Sequence, residues 1–233
     1  MKINIQRDIL KEYEADLNDV TLLEFLQNIK TSKDSSLTYS SGCRSGVCGS
    51  CAVRVNGREV LACSYKVQDG DKIEPLRNSK VIRDLVVDMD RAYAFNQKAK
   101  AWQSKDSQNI LLSQEDEKMN EVQSDCIMCS ACYSACPVYA VNEEFIGPFS
   151  LTRAWRYVSD KREDSPSIKI DAIQTNGVWD CTLCNECTIV CPQGISSKAD
   201  IEKLRAQSAI HGFMDPNISN FGGGFGFDGS PSF

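Results

Sequence analysis

The twelve residues Cys126–Pro137 read C-I-M-C-S-A-C-Y-S-A-C-P and decide how the rest of the chain is interpreted. They contain four cysteines with the spacing C-x2-C-x2-C-x3-C, followed directly by a proline. A second run with the same spacing and the same proline spans Cys181–Pro192. Two matching copies indicate an internal repeat whose cysteines act together.

This spacing is typical of iron–sulfur ligation. Three thiolates two residues apart can reach three corners of one cubane cluster, whereas the fourth points away and ligates the cluster of the other run. The pattern therefore predicts two clusters, each of which takes thiolates from both runs. The proline after each run is expected to end the cluster loop.

A third cysteine group lies nearer the start of the chain. Cys43, Cys48 and Cys51 have the plant-type ferredoxin spacing C-x4-C-x2-C, and Cys63 follows further on. Glycines interleave with the first three, which gives the backbone the freedom to fold around a small cluster. This group predicts a [2Fe–2S] site, with a zinc loop as the alternative because C-x2-C pairs bind both metals.

Composition and charge exclude several classes of protein. The chain has 233 residues, 12 cysteines and a formal net charge of −6, which argues against a nucleic-acid partner. The start M-K-I-N-I-Q-R-D has no apolar core, so we expect no secretory signal, and no run of apolar residues is long enough to span a membrane. Abundant cysteine without secretion favours metal or redox chemistry over disulfides.

The first hundred residues predict a small β-grasp domain. The expected order is a strand pair, a helix that opens with a capping box, a hairpin and a further strand. The strand pair is predicted at Lys2–Gln6 and Tyr13–Leu17, and the helix begins with the capping box of Thr21 and Glu24. The hairpin joins Ala52–Val55 and Arg58–Leu61 through Asn56-Gly57, and the further strand is Lys72–Glu74.

The second half of the sequence predicts helices. Leu151–Val158, Ile168–Ile173 and Ile201–Ala209 have helical apolar spacing, and Pro166 suits the first position of the middle helix. The predicted fold class is thus α+β. Its predicted units are a plant-type ferredoxin domain over 1–95, a connecting segment over 96–120, an α-helical bacterial ferredoxin-like domain over 121–212 and a Gly/Phe-rich tail over 213–233. His211 is the only histidine, which excludes a Rieske site.

Several stretches around the cysteines resemble one family, the iron–sulfur subunits of succinate dehydrogenase and fumarate reductase. The matching stretches are C-R-S-G-V-C-G-S-C at 43–51, N-G-R-E-V-L-A-C at 56–63, I-E-P-L-R-N-S-K-V-I-R-D-L-V-V-D-M at 73–89 and F-I-G-P-F-S-L-T-R-A-W-R-Y-V-S-D-K-R at 145–162. The resemblance implies a subunit of an oxidoreductase that is not catalytic on its own. It would relay single electrons between an FAD-bearing subunit, which interconverts succinate and fumarate, and a membrane quinone site.

The resemblance also implies a ligand set for each of three clusters. A [2Fe–2S] cluster would be held by Cys43, Cys48, Cys51 and Cys63, and a central [4Fe–4S] cluster by Cys126, Cys129, Cys132 and Cys191. The distal cluster would be held by Cys136, Cys181 and Cys187. The family usually has a [3Fe–4S] cluster there, but Cys184 stands at the position of the missing ligand and predicts a second [4Fe–4S] cluster.

The quinone-contacting positions depart from the family as well. Val138, Tyr139 and Ala140 stand where aromatic residues including a tryptophan are usual, and Thr182 stands where a histidine is often found. Together with Cys184, these changes resemble a subgroup with a cysteine-rich, heterodisulfide-reductase-like membrane partner rather than a di-haem cytochrome b. The expected location is peripheral, on the cytoplasmic side of the inner membrane.

Two other functions remain open at this point. The chain could serve a different flavoprotein, such as a 2-hydroxy-acid or heterodisulfide-type oxidoreductase, because the cysteine runs are common to these relays. It could also be a zinc-stabilised interaction module with no redox role.

Overall fold

In the computed structural model, which describes residues 1–104 and 110–216, the chain begins with a mixed five-stranded sheet. The strand order is β2-β1-β5-β3-β4, with β1 and β5 parallel and the other neighbours antiparallel. The strands are β1 (Lys2–Gln6), β2 (Leu10–Glu14), β3 (Ala52–Val55), β4 (Arg58–Leu61) and β5 (Lys72–Glu74), and a separate pair is formed by β6 (Val81–Arg83) and β7 (Val86–Val87).

The hairpins follow from local sequence. β3 and β4 have the bounds that the sequence predicted, and Asn56 and Gly57 between them have φ of 49° and 86°, as a two-residue turn with positive φ requires. The predicted bounds of β2 were wrong. The strand is Leu10–Glu14 rather than Tyr13–Leu17, because a tight turn pairs Gln6 with Leu10 and so brings the return strand in earlier.

A helix covers the sheet. Helix α1 (Leu22–Ser32) begins with the predicted capping box, in which Thr21 and Glu24 bond to each other's backbone N–H. Its apolar side chains, which include Phe25 and Ile29, are fully buried together with Ile3 of β1. The spacing of these residues explains why this helix turns one apolar face toward the core that it shares with the sheet.

The second half of the chain is helical around its own core, so the predicted α+β class is confirmed. The longer helices here, α7 and α10, pack against each other and carry the predicted apolar stretches, but each begins several residues earlier than predicted. The helices are α2 (Asp90–Lys98), α3 (Gln114–Lys118), α4 (Glu121–Ser124), α5 (Ala131–Ala135), α6 (Pro137–Val141), α7 (Pro148–Val158), α8 (Pro166–Ala172), α9 (Glu186–Ile189) and α10 (Ser197–Ile210).

The described residues at the start of the joining segment pack against the helical half. Phe95 on α2 and the following Ala99 and Ala101 are buried in the core of the helical half. Ser104 then donates its backbone N–H to Glu163 at 2.9 Å. The predicted domain limits at residues 95, 120 and 212 remain predictions, and most of the predicted tail, residues 217–233, lies outside the described residues.

His211 follows the last turn of α10 and is exposed, as expected for a residue at a helix end. Within the described ranges, no helix is both long enough and apolar enough to cross a membrane.

Candidate iron–sulfur centres

The first cysteine loop, residues 43–51, presents backbone N–H groups to sulfur. The N–H groups of Ser45 and Val47 each lie 3.4 Å from Cys43 Sγ, and the N–H of Cys43 lies 3.4 Å from Cys48 Sγ. The bonds from Ser45 and Val47 lower the pKa of Cys43 to about 6. Because the thiolate is the form that binds metal, this loop favours ligation.

The other two cysteines of this group come from the sheet. Cys51 directly precedes β3 and Cys63 lies two residues after β4, so the hairpin brings both side chains to the loop. Both are buried, whereas Cys43 and Cys48 are exposed. The group therefore has one side buried in the domain and one side exposed.

Two cavities in the helical half are lined by the remaining cysteines. The central cavity contains thiols from both runs and is closed by Phe149 and Thr152 of α7. The distal cavity likewise takes thiols from both runs and is bordered by Phe145 and Ile201. The central set is Cys126, Cys129, Cys132 and Cys191, and the distal set is Cys136, Cys181, Cys184 and Cys187.

The backbone of the two runs repeats as their sequences do. Met128 and Ser130 have φ of 51° and 61°, and the equivalent Leu183 and Asn185 have φ of 56° and 72°. Left-handed conformations on both sides of the middle cysteine turn the chain around each cavity. Residues other than glycine rarely adopt this backbone conformation. Four of them at matched positions therefore indicate a functional constraint on the two cysteine loops.

The thiols fit clusters by their chemistry as well as by their number. The N–H of Leu183 lies 3.4 Å from Cys181 Sγ, and that of Tyr139 lies 3.4 Å from Cys136 Sγ. Burial raises the pKa of Cys129 and of Cys187 to about 12 in each case. A buried thiolate therefore needs a nearby positive charge, which the iron of a cluster supplies. Among the described residues, no three His, Cys, Asp or Glu side chains surround a single metal-ion position.

The first cysteine loop lies directly against the first run. Gly49 has φ of 72°, and a Cβ at this position would come within 2.7 Å of Cys129 Cβ and 2.9 Å of the carbonyl oxygen of Ile127. Only glycine allows the two backbones to approach so closely. From the other side, Gln193 Nε2 donates to the carbonyl oxygen of Gly46 at 3.0 Å. These contacts place the first cysteine group next to the central cavity.

The central and distal cavities meet where α5 packs against α9. Cys132 on α5 belongs to the central cavity and Cys187 on α9 to the distal one. Burial raises the pKa of Cys132 well above its ordinary value, and the nearby Cys129, Cys126 and Cys187 thiols raise it further. The three cysteine groups thus lie in the order first loop, central cavity and distal cavity, each adjacent to the next.

Sequence reasoning missed two residues that hold the cysteine runs in place. Asn78 Nδ2 lies 2.9, 3.1 and 3.2 Å from the carbonyl oxygens of Tyr133, Ser134 and Cys136, and it ties the first domain to the end of α5. Arg205 on α10 bonds the carbonyl oxygen of Cys181 at 2.6 Å. No local signal marks either role, because both depend on contacts between segments far apart in sequence.

The structure also locates the residues that were expected to lie on the quinone side. Tyr139 is buried on α6, with its ring 4.5 Å from that of Tyr133 and the guanidinium of Arg91 4.1 Å from its ring centre. Thr182 is exposed and borders the distal cavity, whereas Val141 is 86% exposed.

Comparisons with known proteins agree with this arrangement. Residues 2–94 match the family described as a 2Fe-2S iron-sulfur cluster binding domain, and residues 122–195 match the 4Fe-4S dicluster domain. The chain is therefore an iron–sulfur protein with ferredoxin-type domains of both kinds, and the zinc alternative is set aside.

Curated relatives define the family more narrowly. The chain is 37% identical over 235 residues to the 8-methylmenaquinol:fumarate reductase iron-sulfur subunit of Wolinella succinogenes, with 91% of this chain and 74% of the relative covered. It is 33% identical to the fumarate reductase iron-sulfur subunit of Mycobacterium tuberculosis, with 85% of both chains covered. In the solved Mycobacterium smegmatis Sdh1 complex, a chain 26% identical superposes with a TM-score of 0.79, over 90% of this chain and 95% of that one. This chain belongs to the family of succinate dehydrogenase and fumarate reductase iron–sulfur subunits.

Proposed function

We propose that this chain relays single electrons between an FAD-bearing succinate/fumarate subunit and a quinone site at the membrane. The observation that carries the proposal is the succession of the three cysteine groups. Gly49 joins the first loop to the wall of the central cavity, and Cys132 and Cys187 join the central cavity to the distal one. Iron–sulfur clusters, when bound, accept and donate one electron at a time.

The ligand assignment is part of this proposal. We assign Cys43, Cys48, Cys51 and Cys63 to the [2Fe–2S] cluster, and the central and distal sets to two [4Fe–4S] clusters. The chain's own work is to hold the thiolates, to exclude water and to direct N–H groups at sulfur, all of which set the reduction potentials. No side chain of the described part is assigned an acid–base role.

Electrons would enter or leave at the first cysteine loop. Cys43 and Cys48 are exposed there, and Val47 between them is 64% exposed, so this face is open to the flavoprotein. The far end of the relay is the distal cavity, where exposed Thr182 marks the side that would meet the membrane partner.

The membrane partner is proposed to be cysteine-rich and heterodisulfide-reductase-like rather than a di-haem cytochrome b. Support comes from Cys184 and from the altered quinone-side residues Tyr139 and Thr182. We further propose that the subunit is peripheral and lies on the cytoplasmic side of the inner membrane, held there by its partners. Purification of the intact complex, followed by a haem assay and identification of its subunits, tests the type of partner.

Substrate-dependent reduction tests the relay itself. The intact complex is purified without air, and succinate or a 2-hydroxy acid such as lactate is added in separate samples. We expect succinate to generate the electron paramagnetic resonance signal of the reduced [2Fe–2S] cluster and lactate to leave the sample unchanged. Reduction by lactate and not by succinate would favour the alternative of a different flavoprotein.

A further inference from the structure

Two buried hydroxyl groups line the central cavity, those of Ser130 and Thr152. Each residue is only 1% exposed. Within the described part of the chain, neither hydroxyl oxygen has a hydrogen-bond partner. A buried polar group left without a partner costs about 1–3 kcal/mol. Both hydroxyl groups therefore need a hydrogen-bond acceptor, and a group bound in the central cavity that they line could supply it.

The usual structural uses of these hydroxyls do not account for them. Ser130 stands at the N-cap of α5, where serine commonly bonds to a backbone N–H, but its φ of 61° is left-handed and its side chain makes no cap bond. Thr152 lies within α7, where a threonine hydroxyl commonly bonds a carbonyl one turn earlier. That bond is absent as well.

We propose that the hydroxyls of Ser130 and Thr152 donate hydrogen bonds to the sulfur atoms of the central cluster and raise its reduction potential. Reduction adds negative charge to the cluster, so a hydrogen-bond donor stabilises the reduced form more than the oxidised form. The proposal rests on the assignment of this cavity to a [4Fe–4S] cluster. The two hydroxyl donors would make the central cluster easier to reduce than it would be with the cysteine ligands alone.

One protein group competes for the Thr152 hydroxyl. Asp200 on α10 is 1% exposed, and its buried Oδ2 makes no hydrogen bond within the described part of the chain. Burial raises the pKa of this carboxyl, and the nearby Thr152 hydroxyl opposes that rise. If Thr152 serves only Asp200, its removal will change the stability of the protein but not the potential of the cluster.

The test is a redox titration of the intact complex monitored by electron paramagnetic resonance. Thr152→Val and Ser130→Ala each remove one hydroxyl and little else. For each variant we expect about a tenfold decrease in the equilibrium constant for reduction of the central cluster, which corresponds to about 59 mV for a one-electron couple. Thr152→Ser should restore the wild-type potential, and the other two clusters should keep theirs.

Ser150→Ala is the matched control. Ser150 lies on the same helix and is fully buried, but its hydroxyl bonds Tyr133 at 3.0 Å and it does not line the central cavity. An unchanged central potential in Thr152→Val and Ser130→Ala, or an equal shift in Ser150→Ala, would overturn the proposal. If Thr152→Val does not assemble, Ser130→Ala decides alone by the same criterion. Wild-type protein without a central cluster would refute the cluster assignment, and this proposal with it.

Discussion

Cys184 occupies in the second cysteine run the position that Cys129 occupies in the first. Each lies between two residues with positive φ, Met128 and Ser130 for Cys129 and Leu183 and Asn185 for Cys184. Each also lines the cavity formed with the other members of its set. A cysteine held by the same backbone turn is suited to the same task, so Cys184 is expected to bind the fourth iron of the distal cluster.

Replacement of Cys184 by valine should convert the distal cluster to [3Fe–4S]. A cubane with three thiolates loses its fourth iron readily, so we expect about one iron fewer per chain and a sharp resonance signal of an oxidised [3Fe–4S] centre. The matched control is Thr182→Val, which changes another residue of the same cavity without removing a thiol. If Cys184→Val retains its full iron content and gives no such signal, Cys184 is not a ligand.

The crossing of ligands between the two runs can be read out with that signal. In the Cys184→Val background, the distal cluster is recognisable, and Cys136→Ala should abolish its signal even though Cys136 belongs to the first run. Cys191→Ala, in the second run, should instead leave the signal and remove the central cluster. The reverse pattern, measured by resonance and iron analysis of the purified complexes, would mean that each run holds its own cluster.

Asn78→Asp should destabilise the distal cluster without touching a ligand. The aspartate keeps the size of the side chain and tolerates the φ of 61° at this position. It replaces an N–H donor by an acceptor that faces three carbonyl oxygens, at a cost of ~3 kcal/mol. We expect a lower Tm and earlier loss of distal iron on dilution.

Asn176→Asp, at another position with positive φ, provides the control for this change of charge. Equal Tm and equal iron retention in the Asn78→Asp and wild-type proteins would show that the three bonds do not hold the end of α5.

Local features of the chain were predictable from the sequence because their causes are local. The turn at Asn56-Gly57 and the capping box of Thr21 and Glu24 each depend on residues within one turn of chain, and both are found where predicted. The composition of the two cavities also follows from the cysteine spacing, since a short loop can present only certain thiols to one point.

The remaining features depend on the packing of distant segments. β2 was misplaced because Tyr13 and Leu17 fit an alternating pattern, whereas the register is decided by the turn that pairs Gln6 with Leu10. Likewise, nothing around Gly49 indicates that its missing Cβ makes room for Cys129. Such contacts have no sequence periodicity to reveal them.

Asp200 should make the stability of the protein depend on pH. Burial raises its pKa from 3.8 to about 6, against the hydrogen bond that it accepts from Gln123. Between these two values the folded protein binds a proton that the unfolded chain releases, so stability falls as the pH rises toward and through about 6. The full effect is about 3 kcal/mol.

Asp200→Asn is expected to abolish this dependence, because the amide oxygen can still accept the bond from Gln123 and carries no charge. Melting of the complex between about pH 5.5 and pH 8 measures the upper end of this dependence, a loss of about 0.8 kcal/mol, with the exposed Asp171→Asn as the control. Identical pH profiles for Asp200→Asn and the wild type would contradict the burial of an ionisable carboxyl at this position.

The most direct measurement of the central claim is Mössbauer spectroscopy, with iron analysis, of the iron-57-labelled wild-type complex purified without air. The twelve cysteines are proposed to hold one [2Fe–2S] and two [4Fe–4S] clusters. We therefore predict no [3Fe–4S] component, and at least four times as much iron of the [4Fe–4S] type as of the [2Fe–2S] type, with any excess coming from the cysteine-rich partner. A stoichiometric [3Fe–4S] component, or an iron content that accounts for fewer than three clusters, would contradict it.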